Sequence, residues 1–249
     1  MAHPITSSRS LAAYRSSLGL LVLGACSVEP LALSTQGGLA AYASSTASAP
    51  MYKLEGWQDS DRKLLAAALD QTWGVVTSAD FQNRVADVTN LHESRGGPVI
   101  SGARLLELYL NDRLPVTYRS SRASGETADT GIAGDHGLTN FGIDNLARWP
   151  AGETPDELLE RACMINTISH EWTHAISDAR AHVRFTDGCH GSSSVPLVSY
   201  TVGSIAHCVY LEQKHVIAHD RFWPCVAYVG TATFSGLSVC EKRKWLSQI

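Results

Sequence analysis

Between Thr154 and Ala179 the chain carries one long helical pattern, with His170-Glu171-Trp172-Thr173-His174 near its end. No other stretch restricts the fold as much. Pro155 suits a first helical turn after a Thr154 cap, and Asp156 and Glu157 suit the positive end of a helix dipole. Leu158, Ala162, Ile165, Ser169, Trp172 and Ile176 recur at helical spacing and form an apolar stripe, with Ser169 its weakest member. The pattern predicts one helix over 155–179. His170 and His174, four apart, then stand one above the other and can aim imidazole nitrogens at a single cation. Glu171 is turned about 100° from His170, close enough to act on water without being a ligand itself. A hydrolytic zinc site needs three protein ligands and an open position. The motif supplies two ligands and a base, and the third ligand must come from elsewhere. The plainer reading is an amphipathic helix with two ordinary histidines.

The segment HEWTHAISD resembles the active-site helix of the zincin metallopeptidases, and more narrowly the HELTHAVTD-type helix of the thermolysin-like group. That resemblance implies His170 and His174 as Zn2+ ligands, Glu171 as general base, and a protein or peptide substrate. It also implies an α+β zincin-like domain with a small mixed sheet, in which an open-edged strand receives an extended substrate. The chain departs from the known third-ligand signatures. A metzincin continuation would need Gly at Ser177 and His at Arg180, and neither a Gly-Thr-x-Asp nor an Asn-Glu-x-x-Ser-Asp segment follows.

Candidates for the third ligand are Asp178, His182, Asp187, His190, His207, Glu212, His215, His219 and Asp220. Asp178 is close enough to His174 that an orienting role beside an imidazole fits it better. A second helix is predicted over 198–216. Its apolar phase runs Val198, Val202, Ile205, Val209, and the next position in phase is Glu212. A carboxylate on a core-facing stripe is costly unless paired or metal-bound, and a Glu from a later helix matches the gluzincin branch, so Glu212 is the expected third ligand. The plainer reading is a last-turn Glu leaning into solvent. His207, on another face with Tyr200, is the second candidate, as ligand or as donor to a developing oxyanion. Tyr200 is a further candidate donor. His215 and His219 also have ligand spacing, but no Glu follows His215.

Upstream, helices are predicted over 59–76 (Ser60 as cap; Leu64, Leu65, Ala68, Leu69 and Trp73 inward), 78–88 (Phe81, Val85 and Val88 inward) and 102–111. All three read as packing scaffold. A strand is predicted over 115–119, and the Gly-rich stretch 130–144 reads as strands or hairpins. His92 and Glu93 fall in a predicted loop, and Asp135 and His136 read as turn residues.

The 249 residues with a 44% apolar fraction suffice for one catalytic domain over 51–249. A net charge of −4 gives no reason to expect nucleic acid as partner. Residues 1–26 read as an export signal: Arg9 and Arg15, a short apolar run, then Leu23-Gly24-Ala25-Cys26, which resembles a bacterial lipobox. The expectation is export to a bacterial cell envelope as a lipoprotein anchored at Cys26, or secretion. Residues 27–50, rich in Ser, Ala and Gly, read as a flexible tether. Clustering of cysteines in the last quarter suits an oxidising compartment. The expected bridges are Cys189–Cys208 and Cys225–Cys240, leaving Cys163 outside both. The expected function is zinc-dependent peptide-bond hydrolysis. The alternatives are a zinc amidase acting on cell-wall peptides and a non-catalytic envelope lipoprotein.

Overall fold

The computed structural model describes residues 52–93, 97–111, 114–121, 128–133, 136–142, 146, 149–176, 185 and 197–229. The predicted leader with Cys26, the whole 27–50 tether, Asp135, Asp178, His182, Asp187, Cys189, His190 and Cys240 lie outside them.

The chain forms a mixed α+β fold. In order, the elements are β1 (Tyr52–Glu55), α1 (Asp59–Val76), α2 (Ala79–Ala86), β2 (Leu91–His92), β3 (Val99–Ile100), α3 (Gly102–Asn111), β4 (Val116–Ser121), β5 (Ala128–Ala133), β6 (His136–Gly142), α4 (Pro155–His174) and α5 (Val198–Gln213). A short 3-10 turn (His219–Arg221) then leads into α6 (Phe222–Val229). The main sheet has the order β1-β4-β6-β5. β1 and β6 flank β4 in parallel, and β5 closes a hairpin with β6 as an antiparallel edge. β2 and β3 form a separate two-stranded ribbon where a loop was expected.

The sheet carries α4 through aromatic packing. Tyr118 on β4 is fully buried, stacks edge-on to Phe141 of β6, and accepts a hydrogen bond from the Trp172 indole N–H. Its carbonyl accepts from Trp57 at 3.0 Å. Trp172 also meets Trp73 of α1 edge to face. At about 100° per residue, Trp172 is opposite the mean direction of His170 and His174. Anchoring the tryptophan in the core therefore turns the histidines outward.

The start of α4 is set by a capping box. The Thr154 hydroxyl accepts from the Glu157 amide, and the Glu157 carboxylate accepts from the Thr154 and Gly152 amides. The Thr154 hydroxyl also donates to the Glu157 carboxylate at 2.6 Å, and that bond first, with the amide bonds after it, holds the Glu157 carboxyl below its ordinary range. The helix stops at His174, five residues short of the expected end. The Ala175 carbonyl is capped by the Leu114 amide at 3.0 Å, and the Ile176 amide closes a tighter turn onto Thr173. No Gly or Pro marks that stop; a tertiary hydrogen bond does.

α5 packs antiparallel on α4. Gly203 faces Asn166 so closely that a Cβ there would come within 2.5 Å of the Asn166 amide oxygen. Tyr200 faces His170, and Lys214, just past α5, pairs with Glu153 ahead of α4. Cys208 of α5 and Cys225 of α6 form a disulfide, which replaces both expected bridges: the two helices pack together and bring these cysteines to a Cα separation of 6.1 Å. No helix among the described residues is long and apolar enough to cross a membrane.

Candidate metal centre

The last turn of α4 and the first turn of α5 meet at His170, His174 and Tyr200. The Nε2 atoms of His170 and His174 are 3.3 Å apart. Two nitrogens each about 2.0–2.1 Å from a tetrahedral zinc are separated by about 3.3–3.4 Å, so the donor pair fits that ion. His174 Nδ1 lies 2.9 Å from the Phe185 carbonyl, to which its N–H donates. That bond fixes the tautomer and leaves a lone pair on Nε2, the arrangement a metal-binding imidazole requires. The same spacing also serves an N–H···N bond between neutral rings, so metal uptake, not distance, decides between them.

Glu171 is turned toward the protein interior at 6% exposure, beside the pair and not in line with it. Tyr200 packs edge-on against His170, with ring centroids 4.8 Å apart, while keeping 39% of its surface exposed. The tyrosine thus borders His170 on the side open to solvent. Phe185 itself is buried, which pins its carbonyl against His174. A backbone carbonyl leaves no mark in a residue pattern, so this partner was not legible beforehand.

Glu212 is not brought to this site. It lies twelve residues beyond Tyr200 on α5, about 18 Å further along the helix axis. There its carboxylate bonds the His219 ring and sits 3.6 Å from the Arg84 guanidinium, which stacks over Phe222. The expected third ligand is instead part of a clasp joining α2, α5 and α6. His207 is also displaced, about 10 Å along α5 from Tyr200, and fully buried between helices. His215, His219 and Asp220 are exposed beyond the end of α5. The β2–β3 ribbon bridges through His92 to Leu197, three residues before Tyr200. Partial burial there raises the Glu93 carboxyl above its ordinary range.

Among the described residues no third His, Cys, Asp or Glu completes the pair. Compared with protein-family models, curated proteins and solved structures, the chain gives no match.

Proposed function

We propose that the chain is a zinc-dependent hydrolase of peptide bonds with a zincin-like centre at His170 and His174. The observation that carries this reading is the 3.3 Å Nε2 pair with its His174 tautomer held by the Phe185 carbonyl. The sequence candidates Asp178, His182, Asp187 and His190 lie on the connection between Ile176 and Leu197, outside the described residues. Phe185 belongs to that same connection and already meets His174.

Zinc, when bound, supplies a Lewis acid for the scissile carbonyl and lowers the pKa of water. The chain's own residues then do the proton work. The Glu171 carboxylate takes a proton from the attacking water and hands it to the leaving amine. Its position next to His170 on the helix, 6% exposed, suits this role. Tyr200 borders the site from the open side and is the candidate donor to the developing oxyanion. Strand β5 lies at the sheet edge and packs against α4, which supports strand addition by an extended substrate. The Cys208–Cys225 bridge supports an exported protein, as the leader and lipobox-like Cys26 do.

The test is hydrolysis of casein and of a quenched peptide library, with a chelator and with zinc restored. The expected result is cleavage that chelation stops and zinc restores. Cleavage of cell-wall peptides alone would redirect the reading to an amidase; absence of any zinc-dependent hydrolysis would overturn it.

A further inference from the structure

The metal pair ends its helix against the sheet, and the point of contact is a glycine. A Cβ placed on Gly137, near the start of β6, would lie 3.0 Å from the Ala175 Cβ, 3.4 Å from Val116 Cγ2 and 3.7 Å from the Ala175 Cα. Carbon atoms prefer about 3.5–4.0 Å, so the first of these distances requires one side to give by a few tenths of an ångström. Neither partner is free to do so. Gly137 is fixed from both sides, donating its N–H to the Pro115 carbonyl at 2.9 Å and pairing with Val116 on β4 and Ile132 on β5. Ala175 is fully buried, its carbonyl accepts from the Leu114 amide at 3.0 Å, and the next amide is tied to Thr173. Ala175 directly follows His174, so displacement of one moves the other.

We propose that Gly137 is a positioning residue: its missing side chain lets the sheet abut Ala175 and sets where His174 stands relative to His170. Metal–ligand distances tolerate only about 0.2 Å, less than the shift a methyl group would force. The proposal rests on the zinc reading for its consequence, but its geometry is independent of that reading.

The experiment compares Gly137→Ala, the pair Gly137→Ala/Ala175→Gly, and Gly131→Ala. Gly131 is a control on the neighbouring strand, where a Cβ would meet nothing within 4 Å. The readouts are zinc affinity by competition with a chromophoric chelator, and the His174 imidazole 15N signals of the metal-free protein. Expected are zinc binding weakened about tenfold in Gly137→Ala, shifted His174 signals, return of both to wild type in the pair, and no change in Gly131→Ala. Unmoved His174 signals in a folded Gly137→Ala protein would overturn the proposal. So would failure of the pair to restore affinity, or failure of the pair to fold. Absence of zinc binding in the wild type would sink the metal reading alone, and the 15N signals would still decide the role of Gly137.

Discussion

Replacing Glu171 by Gln separates the chemistry of the site from its stability. The substitution keeps the side chain's shape and removes its charge. Glu171 is only 6% exposed, so the native protein holds a carboxylate where water solvates it poorly, and a neutral amide relieves that cost. Stability should hold or rise by about 1 kcal/mol, which for a chain of this size raises Tm by about 2–4 °C. Catalysis should move the other way. A positioned general base contributes roughly 10²–10⁴-fold, or about 3–5 kcal/mol at 1.36 kcal/mol per tenfold. The assay is kcat/KM on a quenched peptide beside a thermal melt and a zinc determination on the same preparation. The expected set is zinc retained, Tm unchanged or higher, and activity down by a hundredfold or more. Activity within tenfold of wild type would refute the role given to Glu171. A large fall in Tm would refute the argument that its burial serves function at the expense of stability.

Two further outcomes follow from the corrected placements. Glu212→Ala should leave zinc content unchanged, because the residue lies about 18 Å along α5 from Tyr200; it should cost only about 1 kcal/mol through the lost Arg84 and His219 contacts, read by urea denaturation, and zinc loss in this variant would contradict the geometry. Reducing Cys208–Cys225, which closes a 17-residue separation, should lower stability by about 3 kcal/mol; urea midpoints that agree with and without reductant would show that the bridge does not form.

Much of the scaffold was legible in the sequence because its signals were local. α1 and α3 fall on their expected ranges, and Thr154 caps α4 as its neighbours Pro155 and Glu157 suggested. The pairing of His170 with His174 follows from helical spacing alone. What was not legible depends on partners distant in sequence. The phase argument for Glu212 failed because α5 is buried almost all round: from Val198 to Leu211 only Tyr200 is exposed. A helix without a polar face has no stripe to point a later residue, and the last turn emerges beside α2 instead. β1 is four residues long and is defined by its pairing with β4 rather than by its own alternation. α1 takes Gln58 as its cap position rather than Ser60. Cysteine spacing does not encode connectivity, and the bridge was set by how α6 packs on α5.

The central claim is that His170 and His174 hold a metal ion. Zinc content by elemental analysis of the purified protein, wild type beside His170→Ala, tests it most directly. The account predicts one zinc per wild-type chain and none in the variant. A wild-type protein that takes up no zinc after reconstitution would contradict it, and would make the 3.3 Å pair a hydrogen bond between two ordinary histidines.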